Sequence, residues 1–373
     1  MEIQTSAAMK RAFLITNAVL LAVGISGGPL IMRLYFLRGG TRVWFSSWLE
    51  TGGWPVTLLP LAASYSLRRR ADAAARPILM GPRVFLAAAT IGVLTGLDDY
   101  LYAYGVAKLP VSTSSLIIAT QLAFTAVFAF VLVRQRFTAY SVNSVVLLTL
   151  GAVVLGLHTS GDRPAGVTGK EYWTGFVMTV AAAALYGFVL PLIELTYKKA
   201  RQAVTFTLAL EIQLVMCFFA TAFCTVGMIA NGDFQAIGGE AKAYQLGETK
   251  YYVVVISSAL VWQCFFLGAI GVIFYSSSLL SGVIMAVFLP VTEVLAVFFY
   301  NEKFKSEKGI SLFLSLWGFM SYLYGDIKKT KNENNNISSN NNVHNENHNN
   351  TINGHKDLTQ GETQLALQIN TAS

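Results

Sequence analysis

Thr125-Ala126-Val127-Phe128-Ala129-Phe130-Val131-Leu132-Val133-Arg134-Gln135-Arg136-Phe137 ends an apolar stretch in a turn, and the pattern returns 167 positions later. There Thr292 opens an apolar stretch that turns at Asn301-Glu302-Lys303-Phe304. Each turn leads into a further apolar run, Leu147–Gly151 in the first case and Leu312–Gly318 in the second. The preceding segments pair at the same offset, Ser114 with Ser281 and Leu116 with Val283. Duplicated bundles are a common transporter architecture, because two similar halves can rock about one central site. An odd number of spans per half inverts the second copy in the membrane.

The composition agrees. Of 373 residues, 54% are hydrophobic and 13% charged, with a mean hydropathy of +0.52. The apolar residues arrive in blocks of about 20 rather than in alternation, which selects membrane helices and excludes a β-barrel. About ten spans are expected, near 11–32, 43–66, 83–104, 111–133 and 138–157, then 171–197, 203–230, 250–274, 276–300 and 309–325. The first has no small-residue cleavage site and reads as an internal anchor rather than a removable signal. The predicted organisation is a short cytoplasmic N-terminus (1–10), a five-helix half (11–157), a linker (158–170), a second five-helix half (171–325) and a tail (326–373). The tail is rich in Asn, Ser, Glu and His and reads as cytoplasmic disorder. Its two Asn-x-Ser/Thr patterns, at Asn336 and Asn349, then remain unmodified.

The net charge of +7 could suggest a nucleic-acid partner, but the cations lie between spans and membrane topology explains them better. With a cytoplasmic N-terminus, 15 Lys and Arg up to Lys331 fall inside and 11 outside, a weak bias that an inverted repeat predicts. Cys217, Cys224 and Cys264 fall within spans, where a disulfide framework of the secreted kind is excluded. With three of the four histidines in the tail, no metal-ligand pattern arises, and no cofactor is expected. There is no phosphate-cradling glycine loop and no intramembrane histidine base, so an enzyme is not expected.

Ionisable groups in hydrocarbon are expensive, and those that persist mark pathways. Glu50 shares a helical face with Ser46, Gly53 and Thr57, and Gly52-Gly53 followed by Pro55 is placed to break that span beside a cavity. The competing reading is a kinked helix with a neutral, hydrogen-bonded Glu50. Asp98 and Asp99 precede Tyr100, Tyr102 and Tyr104, an arrangement suited to a flat basic heterocycle or, equally, to an aromatic belt at the membrane interface. Gln121, in a stripe with Ser114 and Thr125, can both donate to and accept from a ring edge, or can join two helices. Glu293 follows Pro290 in the counterpart helix and suits proton uptake and release, with structural pairing as the alternative. Glu211, Trp262 and Gln263 add polar and aromatic groups in the seventh and eighth spans, while Glu194 beside Lys198 reads as a structural ion pair.

Gly96-Leu97-Asp98-Asp99-Tyr100-Leu101-Tyr102-Ala103-Tyr104-Gly105, continuing through Leu109-Pro110-Val111-Ser112-Thr113-Ser114-Ser115, resembles the plant purine permease family. Ser276–Ile284, Leu289–Val297 and Trp317–Gly325 resemble it too, so that the likeness covers about residues 10–328. It implies the drug/metabolite transporter fold: all-α, ten helices in two inverted five-helix halves, both termini cytoplasmic. It also implies proton-coupled uptake of purine bases, cytokinins or related nitrogen heterocycles across the plasma membrane. An exporter, or an endomembrane exchanger of alkaloids, vitamins or nucleotide sugars, is the alternative, although scarce intramembrane cations disfavour phosphorylated cargo. The expected partners are a small heterocycle, protons and the lipid bilayer, with a homodimer compatible and nucleic acid excluded. Gln121, Asp99, Tyr100, Trp262, Gln263 and Glu211 are the substrate-binding candidates, with Glu50 and Glu293 as proton carriers. A non-transporting receptor or membrane enzyme is the remaining class.

Overall fold

The computed structural model describes residues 7–109, 114, 117–118, 120–157, 168–300, 306, 309–325 and 327–329. The Asn-rich tail, the turn Asn301-Glu302-Lys303-Phe304 and most of the 158–170 linker lie outside the described residues. All regular structure among the described residues is helical. The helices are α1 (Ala7–Leu37), α2 (Val43–Thr51), α3 (Leu58–Ala71), α4 (Pro82–Lys108), α5 (Gln121–Val133) and α6 (Ala139–Leu157). Then come α7 (Gly169–Lys199), α8 (Phe206–Asn231), α9 (Asp233–Ala243), α10 (Glu248–Tyr275), α11 (Ser278–Tyr300) and α12 (309–325).

Within this set α1, α4, α7, α8, α10 and the Ser278–Ala296 part of α11 are long and apolar enough to cross a membrane. Gln121–Val133 and Ala139–Gly151 are shorter apolar helices. Their outward faces carry Ile15, Leu86, Phe130, Val226, Ile256 and Phe298, each more than half exposed, as a lipid-facing surface requires. Helix ends carry local signals. Thr168 and Glu171 form a reciprocal capping box on α7, Thr205 caps α8, and Arg134 ends α5 in the left-handed region (φ 52°).

Small residues set the packing. α1 lies along α10, and a Cβ on Gly24 would run into the Phe265 backbone, as one on Gly268 would run into Leu21. Such close approach is how membrane helices gain dispersion contact where no hydrophobic drive is available. Gly92 and Gly96 bring α4 equally close to Met216 and Ala220 of α8.

The expected second span is broken as its glycines and proline predicted. α2 stops at Thr51, Trp54–Thr57 forms a 3-10 turn, and α3 resumes at Leu58. The repeated segments also meet. A Cβ on Gly151 would lie 3.2 Å from the Ser311 carbonyl and 3.3 Å from Leu314 Cβ. One on Gly318, 167 positions on, would lie 3.2 Å from the Ser144 carbonyl and 3.3 Å from Leu147 Cβ. The contacts are reciprocal, as at a two-fold axis. Asn143 reaches Ser321 while Gly325 sits on Tyr140, so α6 and α12 run antiparallel.

Candidate functional site

The centre of the bundle holds a cavity of about 110 Å³. One water needs ~10–15 Å³, so the space exceeds simple hydration of a polar patch. Several of the candidate residues line it. α2 contributes Glu50 from the last turn before the break, and α4 contributes Asp98, Asp99 and Tyr102. Ser114 and Gln121 stand on the wall formed by the following segment, and Leu289, Thr292 and Ala296 come from α11. Trp262, Phe265 and Phe266 of α10 and Tyr186 of α7 complete the lining, with Arg33 of α1 as the one cation among its described residues.

The acids are buried and open to the cavity. Glu50 is 3%, Asp98 7% and Asp99 2% exposed. Glu50 Oε1, Asp98 Oδ1 and Asp99 Oδ2 are buried without a hydrogen-bond partner among the described residues. Ser114 Oγ and the Trp262 indole Nε1–H are in the same condition. Buried polar atoms are nearly always bonded, so a cluster of orphans around one void marks a candidate site. Gln121 makes only a weak contact, donating from Nε2 to Met285 Sδ at 3.6 Å.

Aromatic rings shape the remaining wall. Tyr102 and Trp262 meet edge to face at 6.2 Å, Trp262 and Phe265 at 5.4 Å, and Tyr186 stacks on Phe265 at 5.8 Å. The rings offer flat apolar surface between an acceptor side (Glu50, Asp98, Asp99) and donors on Trp262 and Gln121. Backbone adds to the acceptors: Pro29 has no N–H, so the carbonyl of Ile25 lacks its helical donor, and both residues line the cavity. A small apolar annex of about 20 Å³ opens beside Gln121 between Ile25, Ile118, Leu122, Met285, Ala286 and Leu289.

Three other candidates stand elsewhere. Glu211 is clasped by backbone: Leu79 N–H donates to both its oxygens at 2.9 and 3.0 Å, and Met80 N–H donates at 2.8 Å. Tyr100 stacks on Trp44 at 3.9 Å between centroids, off the cavity lining. Gln263 lies behind the wall, donating from Nε2 to Thr57 Oγ1 at 2.8 Å. Glu293 belongs to α11 between the cavity residues Thr292 and Ala296, and its side chain lies outside the described residues.

The residues missed in the sequence are Arg33, Tyr186, Phe265 and Phe266. Arg33 was assigned to an outer loop because the first span was closed at residue 32, whereas α1 runs one turn further. Tyr186 follows an alanine run that reads only as a packing surface. Glu194 keeps its structural part, paired with Lys198 at 2.8 Å and accepting from the Ser278 N–H at 2.7 Å. Among the described residues no group of acids, cysteines and histidines is placed to hold a metal ion.

A family profile described as purine nucleobase transmembrane transport matches residues 12–332. Purine permease 3 of Arabidopsis thaliana is 55% identical over 323 residues, which is 86% of this chain and 92% of that protein. Purine permease 2 of the same plant is 52% identical over 340 residues, covering 87% and 95%. A solved crystal structure of a protein 15% identical to this chain superposes with a TM-score of 0.59 over 83% of this chain and 97% of that one, a likeness of fold alone. A buried cavity with acids, an amide and flat aromatic walls thus sits inside a chain that belongs to the purine permease family.

Proposed function

We propose that the chain is a secondary active transporter importing purine bases, and related heterocycles such as cytokinins, together with protons across the plasma membrane. The observation that carries this reading is the set of buried orphan oxygens on Glu50, Asp98 and Asp99, which line one cavity with Trp262 and Gln121. A purine ring presents amine and ring N–H donors together with ring-nitrogen acceptors, which complement the acid side and the indole and amide side respectively. Its flat faces suit Tyr102, Trp262 and Phe265. The apolar annex beside Gln121 gives a short hydrocarbon substituent a place to go.

Asp99, Gln121 and Trp262 act as substrate contacts, and Glu50 carries the proton, with Glu293 as its counterpart on α11. The charged form of a carboxylate is costly in this setting, so protonation and substrate binding favour the same occupied state. Two inverted five-helix halves, supported by the antiparallel α6–α12 seam, would rock around this point with both termini cytoplasmic. The test is uptake of labelled adenine by cells expressing the chain, with and without a protonophore. Uptake should collapse when the proton gradient is removed, and uptake that ignores the gradient overturns the coupling.

A further inference from the structure

We propose that the Gln263–Thr57 hydrogen bond is a positioning contact that ties the break in the second span, and with it Glu50, to the cavity wall at Trp262. The inference rests on Glu50 as the proton carrier and adds a residue that touches neither proton nor substrate.

Three observations lead to it. The break between α2 and α3 is pressed onto α10: a Cβ on Gly53 would run into the Ala259 carbonyl and lie 3.2 Å from Gln263 Cβ. Among the described residues the one side-chain bond across this seam is Gln263 Nε2 donating to Thr57 Oγ1 at 2.8 Å, with the two residues 1% and 0% exposed. The residue before Gln263 is Trp262, whose ring lines the cavity and would be struck by a Cβ on Gly28. One turn of α10, Ala259–Gln263, thus carries a substrate wall on one side and the seat of the break on the other. Glu50 lies three residues before Gly53.

A short 3-10 segment within a helix is a recurrent hinge, since its poorer hydrogen bonds resist bending less. Gln263 Oε1 is buried and without a partner among the described residues, so the amide has capacity for a second bond when the break moves. Any tilt of Trp262 on substrate binding is transmitted through the same turn to Thr57 and the end of α2. The ionisable groups around Glu50 are Asp98 and Asp99 of α4, Arg33 of α1, Tyr186 of α7, and Cys217 and Cys224 of α8. None of these bonds to Gln263 or Thr57, so the contact acts through geometry.

The experiment measures labelled adenine uptake against external pH for wild type, Thr57→Val, Thr57→Ser, Gln263→Leu and the Val/Leu double variant, each normalised to surface protein. Thr57→Val and Gln263→Leu should each weaken acid stimulation about fivefold, the scale of one lost neutral hydrogen bond, while KM at the acid optimum moves less than about twofold. Thr57→Ser keeps the hydroxyl and should restore the profile, and the double variant should be no worse than either single one. An unchanged pH profile in Thr57→Val overturns the inference, as does a raised KM with the profile intact. Loss of surface protein in Thr57→Val with Thr57→Ser normal also overturns it, by making the bond a folding contact. Protonophore-insensitive wild-type uptake would instead sink the coupled-uptake reading itself.

Discussion

Among the described residues seven carboxylates, six of them buried and Glu240 half-buried, differ in how fully they are bonded. Glu194, Glu211 and Glu240 are saturated. Glu194 accepts from Ser278 N–H and Oγ–H and pairs with Lys198, and Glu211 closes on the Leu79 and Met80 amides. Glu240 gathers Tyr35, Thr41 and Tyr251. Glu50, Asp98 and Asp99 are as deeply placed and keep oxygens that no described donor reaches. Burial therefore does not distinguish a functional acid here. Position does: Asp233 also keeps a partnerless oxygen, beside Arg42 and Asn231 and away from the cavity, whereas Glu50, Asp98 and Asp99 line one cavity together and so form the candidate site.

The sharpest way to break this contrast is to remove one acid from each group. Glu211→Ala leaves the Leu79 and Met80 amides orphaned and should cost about 3 kcal/mol of stability, read as a lower unfolding temperature in detergent and less protein at the surface. Glu50→Gln removes a buried charge of which one oxygen meets no described donor, so its unfolding temperature should hold or rise. Opposite signs support the division. If both variants lose stability equally, the open oxygens of Glu50 are bonded in the working protein and the contrast fails.

Transport should show the reverse order. Glu50→Gln and Asp99→Asn should each lower proton-driven uptake by about tenfold or more at unchanged surface level, the effect of losing one transition-linked charge contact. Counterflow without a pH gradient should survive Glu50→Gln better than net uptake does. Equal loss of both modes would make Glu50 a substrate contact instead of a proton carrier.

Much of this was legible before any coordinates, and the failures have one cause. The six long apolar helices followed from apolar block length, and the broken second span from Gly52-Gly53 and Pro55, because both depend on neighbours in sequence. Glu50, Asp98 and Asp99, which line the cavity, stand out by the cost of charge in hydrocarbon, which is also local. Glu211 looked equivalent on those terms. Its partners at Leu79 and Met80 lie over 130 positions away, and no pattern within α8 announces them. Gln263 fails likewise, since Thr57 is 206 positions distant. Arg33 needed the end of α1, which is set by packing against α10 rather than by hydropathy.

Among substrate contacts, Gln121 tests the donor side. Gln121→Leu keeps volume and removes the amide, and should raise the KM for adenine about fivefold to tenfold with little effect on the pH profile, as expected for one neutral hydrogen bond. A shift in the profile without a change in KM would move Gln121 to the proton pathway and leave the cavity without a donor from α5.

The smallest expected effect lies one residue from the largest. Tyr100 follows Asp99 directly, yet the helical step of about 100° takes it off the cavity lining, and its ring lies 3.9 Å from that of Trp44. Tyr100→Phe preserves the stack and removes only a hydroxyl, so uptake, KM and pH profile should stay within about twofold of wild type. Tyr100→Ala should lower stability through the lost stack while sparing KM. If Tyr100→Phe instead raises KM as Gln121→Leu does, the ring turns inward during transport, and the two faces of α4 exchange duties between states. The comparison of open and saturated groups would then hold for one conformation of the cycle, and the second would have to be sought with substrate bound.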